Sequence, residues 1–143
     1  MRAILQRVKK ASVSVEGKEI SSFNGAGIMA LVGVTQNDGD DEIDFIVRKI
    51  ANLRIMRDEK SISDLHLPIM IVSQFTLYGD CKKGRRPTWI KAAKGEIAKP
   101  IIDKMVARLK DLGLEVYEGK FGADMQVSII NDGPFTIVLD TDA

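Results

Sequence analysis

Met125-Gln126-Val127-Ser128-Ile129-Ile130-Asn131-Asp132-Gly133-Pro134-Phe135-Thr136-Ile137-Val138-Leu139 is the stretch whose reading decides the fold. Two apolar, β-branched runs, Met125 to Ile130 and Phe135 to Leu139, read as strands, and a Gly-Pro dipeptide lies between them. Proline cannot donate to a β-ladder, so it belongs at an edge, a strand start or a bulge. Glycine before it permits backbone angles closed to other residues, and X-Pro is the bond at which a cis peptide is cheap. Two readings are open: an ordinary turn, or a device that aims backbone carbonyls outward in a fixed geometry.

Strand signals also dominate the start of the chain. Ala3 to Val8 and Ala11 to Val15 are short and β-branched, and Gly17 punctuates a turn into Glu19 to Phe23. Ile28 to Val34 is a continuous apolar run that suits a strand buried on both faces, and Ile69 to Phe75 reads as a strong buried strand that ends in Ser73-Gln74-Phe75. Arg54 to Met56 and Leu114 to Tyr117 are shorter strand candidates, and Asp58 to Pro68 reads as a polar loop. Two helices interrupt them. Ile43, Ile46, Ile50 and Leu53 recur at helical spacing after a capping segment at Asn37 to Asp41. Ile97, Ile101, Met105, Leu109 and Leu112 form a second apolar face, closed by Gly113 in the C′ position. Pro100 belongs in the first turns of that helix or kinks it. The pattern predicts a β-rich mixed α/β domain, a single one over residues 1–143.

Composition narrows the class. Hydrophobic residues make up 45% and charged residues 29% of the chain, ordinary for a globular protein. No apolar run approaches the roughly 20 residues a membrane span needs, and the first residues lack a signal-peptide layout. One cysteine, Cys81, excludes an internal disulfide, and the expected location is cytoplasmic. The formal net charge of +1 hides an uneven distribution. Lys82, Lys83, Arg85, Arg86, Lys91 and Lys94 follow Cys81 with no acid among them. Such a run is either a solvated loop or a patch that displaces counterions from nucleic acid.

Side-chain inventory excludes several chemistries. His66 is the one histidine, so a Ser-His-Asp or Cys-His arrangement would depend on it, in a loop setting that suits a structural role. Zinc lacks ligands, and no metal or cofactor is expected. Gly25-Ala26-Gly27 has neither the third glycine nor the following helix of a nucleotide loop. What remains is Ser73-Gln74-Phe75-Thr76 at a strand end, together with Gly133-Pro134. Backbone amides at a strand end can stabilise an oxyanion, or Gln74 and Thr76 can simply cap the strand.

Five segments then carry a family pattern from end to end. They are Met1-Arg2-Ala3 with Gln6-Arg7-Val8, Ser73-Gln74-Phe75-Thr76-Leu77-Tyr78, Lys83-Gly84-Arg85-Arg86-Pro87, Phe121-Gly122-Ala123-Asp124-Met125, and Asn131-Asp132-Gly133-Pro134-Phe135-Thr136. In these the chain resembles the D-aminoacyl-tRNA deacylases (the D-tyrosyl-tRNA deacylase family). The resemblance implies a homodimer of β-barrel-like subunits, each a pair of packed sheets with helices on the outside in β/β/α layers, and active sites at the subunit interface. It implies hydrolysis of the ester of D-aminoacyl-tRNA, and of glycine mischarged on tRNA.

By the same resemblance, Ser73, Gln74, Phe75 and Thr76 lie against the scissile ester. Gly133 and Pro134, flanked by Asn131 and Thr136, form a cis dipeptide that enters the partner's site and rejects L-aminoacyl groups. Phe121 and Met125, with Arg7 nearby, hold the terminal adenine. No side chain is the nucleophile; water attacks, assisted by the substrate 2′-OH. Lys82, Lys83, Arg85 and Arg86 are expected to meet the tRNA backbone. The chain departs from the family pattern in a shorter Asp58 to Pro68 segment, and in Trp89 where phenylalanine is commoner. The alternative reading is a noncatalytic tRNA- or RNA-binding dimer.

Overall fold

The computed structural model describes residues 1–142. Strands β1 (Arg2–Val15) and β2 (Lys18–Gly33) form a long antiparallel hairpin. Each was expected as two shorter runs. Register shifts at Val8/Lys10 and Val13/Ser14 absorb the breaks in pattern without ending the ladder. β3 (Ile69–Ser73) runs parallel to β2, and β4 (Val116–Glu118) parallel to β3, while β5 (Gln126–Asp140) runs antiparallel to β1. The expected pair of sheets is hydrogen-bonded as one, in the order β4-β3-β2-β1-β5. Helix α1 (Asp40–Asn52) and the short α2 (Ile62–Leu65) lie between β2 and β3, and α3 (Gly95–Asp111) between β3 and β4. The architecture is mixed α/β and β-rich.

Side-chain alternation fills both faces of this sheet. Ala30, Val32, Ile69 and Ile71 join the larger core with α1 and α3, whereas Met29, Met70 and Val72 join a second core. Along β1, Ala3 and Leu5 serve the larger core. Beyond the register shift at Val8/Lys10, Ala11 and Val13 serve the second, because a one-residue slip turns side chains to the other face. Phe23 closes the second core by lying on Gly27, where an added Cβ would fall 2.6 Å from its ring.

Both long helices follow their apolar spacing. Ile43, Ile46 and Ile50 of α1 are buried, as are Ile101, Met105 and Leu109 of α3. Leu112 caps the C-terminus of α3, and Gly113 takes the left-handed conformation, φ +87°, as its C′ position demands. Leu112 itself points outward, 56% exposed, so the apolar stripe stops one turn earlier than its spacing implied. Between the helices Arg108 reaches Asp40 at 2.6 Å and Asp44 at 2.7 Å. The Met1 ammonium is buried against the Asp38 carboxylate at 2.8 Å. No helix among the described residues is long and apolar enough to cross a membrane.

Candidate active site

β2 and β3 are parallel and end on the same side of the sheet, the position at which open α/β sheets form crevices. A cleft of about 430 Å³ opens there. Ser73, Gln74 and Phe75 form one wall, Gly95 and Ala98 at the start of α3 another, and Phe121 to Met125 a third. The chain was expected to stay extended through Phe75. Instead β3 stops at Ser73, and Phe75–Tyr78 wind into a 3-10 turn. That turn needs the bare backbone of Gly33, where a Cβ would meet the Gln74 carbonyl and the Leu77 side chain at 3.0 Å.

The turn sorts the backbone donors. Gln74 N–H is committed to the Val32 carbonyl at 2.8 Å. The amides of Phe75 and Thr76 open the 3-10 turn and find no backbone acceptor among the described residues. Neither donor is therefore spent on a backbone partner. The Gln74 side-chain amide donates to the Thr76 hydroxyl, holding that hydroxyl at the protein surface. Thr76 is exposed and lies outside the cleft lining. The cleft thus gathers Ser73, Gln74, Phe75, Phe121 and Met125 in one place.

The remaining expected residues gather elsewhere. On β5, Thr136 pairs with Gln6 and Asn131 with Val8, so the residues between them bulge out opposite Arg7. The Gly133–Pro134 peptide at this bulge is cis, Gly133 has φ +127°, and Asn131, Gly133, Pro134 and Thr136 are exposed. Pro134 therefore sits on an edge strand, where its missing N–H is tolerated. Arg7 lies beneath the bulge rather than in the cleft. It is 7% exposed, donates to the Asp132 carbonyl at 3.0 Å and the Ile55 carbonyl at 3.1 Å, and stacks 4.7 Å from the Phe135 ring centre. Asp132 takes a second arginine, Arg57, at 2.5 Å. That bond holds the Asp132 carboxyl below the usual carboxylate range, against the opposing effect of burial.

Lys82, Lys83, Arg85 and Arg86 are all exposed, on a loop closed at its base by the Asp80↔Thr88 bridge. Cys81 is an exposed free thiol on the same loop, and His66 caps the C-terminus of α2. Among the described residues no three His, Cys, Asp or Glu side chains converge as metal ligands. Arg57 and the start of α3 were not anticipated as parts of the site. Arg57 precedes a tight turn with Asp58 at φ +61° and Glu59 at φ +55°, and nothing in its local sequence announces a partner 75 residues away.

Solved structures share this architecture. One titled "c-Myc DNA Unwinding Element Binding Protein" superposes with a TM-score of 0.92 at 41% identity, covering 100% of both chains. Another, of a probable eukaryotic D-amino acid tRNA deacylase, has a TM-score of 0.84 at 17% identity, covering 96% of this chain and 97% of that one, and shows the fold alone. These matches define the scaffold, and the sequence comparisons name the family. The family model described as D-Tyr-tRNA(Tyr) deacylase matches residues 4–140. D-aminoacyl-tRNA deacylases of Streptomyces coelicolor and Thermobifida fusca are 51% and 52% identical over 140 residues, covering 98% of this chain and 99% of each relative. The chain belongs to the D-Tyr-tRNA(Tyr) deacylase family.

Proposed function

We propose that the protein hydrolyses the ester joining a D-amino acid, or glycine mischarged on tRNA, to the terminal adenosine of tRNA. The observation that carries this is the family match over residues 4–140. The cleft supports it by placing Ser73, Gln74 and Phe75 opposite Phe121 and Met125. Phe121 and Met125 offer the ring and thioether surface on which an adenine packs. The aminoacyl carbonyl then lies at the 3-10 turn, where the Phe75 and Thr76 amides receive the oxyanion. Water attacks the carbonyl carbon, the ribose 2′-OH assists, and the ester oxygen leaves as the 3′-hydroxyl. Positioning and backbone electrostatics suffice because an aminoacyl ester is already activated.

Chiral selection falls to Gly133–Pro134. The dipeptide lines no part of the cleft in its own chain, so a second copy would have to deliver it. A homodimer with each bulge in its partner's site fits this geometry, and the exposed Val127, Ile130 and Val138 beside the bulge supply apolar surface for it. There the dipeptide carbonyls would bind the α-amino group and leave no room for an L side chain. The reading treats residues 1–143 as one domain acting in the cytoplasm without a cofactor.

Incubation with matched D- and L-aminoacyl-tRNA tests this reading. Selective release of the D-amino acid is expected, and equal hydrolysis of both would refute it. Binding without hydrolysis of either would favour the noncatalytic RNA-binding reading, for which the exposed basic loop speaks.

A further inference from the structure

Trp89 and Phe75 are both open to solvent, at 42% and 55%, and meet edge-on with ring centres 5.3 Å apart. Phe75 lines the cleft and Trp89 does not, so the pair leads from the cleft wall onto the surface. We propose that this pair is a stacking platform for an unpaired nucleobase, the one preceding the terminal aminoacyl nucleotide of the RNA. The inference rests on the tRNA-ester reading and adds a second nucleotide subsite to it.

The Trp89 ring is held in place. It lies on Gly79, where a Cβ would fall 2.7 Å from Cζ3, so the ring cannot sink further. Asp80 and Thr88 exchange backbone bonds of 2.9 and 3.0 Å just before it. Beyond it Ala92 N–H returns to the Trp89 carbonyl at 3.0 Å, and the Gln36 amide bonds the Ile90 carbonyl at 2.9 Å. A fixed ring with an open surface loses little entropy on stacking.

Charge selects the occupant. The loop closed by Asp80 and Thr88 carries Lys82, Lys83, Arg85 and Arg86, and Lys91 follows Trp89 by two residues, all exposed. A protein partner would have to desolvate these cations, whereas a polynucleotide meets them with phosphates. An aromatic surface flanked by cations is the arrangement that binds single strands without reading their sequence.

Trp89 is the one tryptophan of the chain, so its fluorescence reports this surface alone. The probe is an unacylated RNA hairpin with a single-stranded 3′ tail, on which no ester chemistry occurs. Saturable quenching is expected. An abasic unit in place of the penultimate nucleotide should remove the quenching and weaken binding about tenfold, the scale of one lost base–aromatic stack. Trp89→Ala should cost the same factor on intact RNA and nothing further on the abasic RNA. Trp89→Phe should retain most of the affinity, and it carries the test with the abasic RNA if the alanine variant does not fold.

RNA that binds without quenching, or losses that multiply when both changes are combined, would overturn the platform and leave the esterase reading intact. Trp89 emission that follows protein concentration but not RNA would assign the surface to a second copy of the chain instead. RNA that does not bind at all would overturn the tRNA reading together with the platform.

Discussion

Arg7 and Asp132 are joined twice: Arg7 Nε donates to the Asp132 carbonyl at 3.0 Å and lies 3.6 Å from its carboxylate. Both side chains are nearly buried, immediately beneath Gly133–Pro134. A charged pair thus lies against Gly133, and the Arg57 contact braces Asp132 from outside.

Asp132→Asn keeps the shape of this support and removes its charge, leaving the Arg7 guanidinium buried without a counter-ion. The displaced bulge should lose chiral discrimination. The ratio of D- to L-aminoacyl-tRNA hydrolysis is expected to fall by up to about a hundredfold, the scale of a misplacement near 1 Å. Matched deacylation assays on the two diastereomers measure it. An unchanged ratio would show that the pair serves stability alone.

The same carboxylate makes stability sensitive to acid. Its folded pKa is depressed, chiefly by the Arg57 hydrogen bond, so its contribution is fully present above the ordinary carboxylate value of about 3.9. As pH falls through the depressed folded value the unfolded chain binds more protons, and that contribution is lost. Chemical denaturation at pH 7 and pH 3 should show a smaller acid loss for Asp132→Asn than for the parent chain.

Gly133→Ala places a methyl group 2.8 Å from Arg7 Nη2, at a residue with φ +127°. Arg7 cannot swing aside, because Nε and Nη1 are both committed to carbonyls. Strained backbone of this kind costs about 1–3 kcal/mol. The denaturation midpoint should fall accordingly, with D-over-L selectivity falling alongside it.

Neutralising Lys83, Arg85 and Arg86 together should weaken tRNA binding to a similar degree for every sequence. Each phosphate contact contributes about 0.7–0.9 to the slope of log affinity against log salt, so that slope should flatten by about 2. Titration across a salt series measures it, and an unaltered slope would mark the loop as merely solvated.

Thr76→Ala should retain measurable deacylation, and the parent enzyme should accumulate no acyl-enzyme. The Thr76 hydroxyl is engaged by Gln74 and faces outward, and no histidine lies near it in the chain. Replacing the terminal ribose 2′-OH with hydrogen should cost far more. An aminoacyl group trapped on Thr76 would reverse this mechanism.

Periodicity made most of the elements legible. α1 and α3 lie where their apolar spacing puts them, and the Gly113 cap is where a glycine stop belongs. The errors cluster where two forces compete. Phe75 has strand-like neighbours, yet the Gly33 gap lets the chain coil beneath it. Arg54 to Met56 yields only a bridge from Met56 to Lys60. The loop over Asp58 to Pro68 hides α2, whose capping box between Ser61 and Asp64 was a readable start signal. The cleft residues were legible as motifs, but the placement of Arg7 was not. Its neighbours across the sheet are fixed by a bulge in β5, and register is a property of pairs of strands that no single segment encodes.

The β5 bulge has one more effect, on how the molecule behaves in a crowd. β4 and β5 are the two rims of the sheet, and β4 spans only Val116–Glu118 whereas β5 runs over Gln126–Asp140. In the unassembled chain, a straight rim of that length bearing the exposed Val127, Ile130 and Val138 would be a template for fibrils. Pro134 withholds an amide at its centre, and the bulge throws the backbone out of line, so an incoming foreign strand can zip only a short way before it meets the interruption. Straightening the bulge would thus threaten solubility as well as folding.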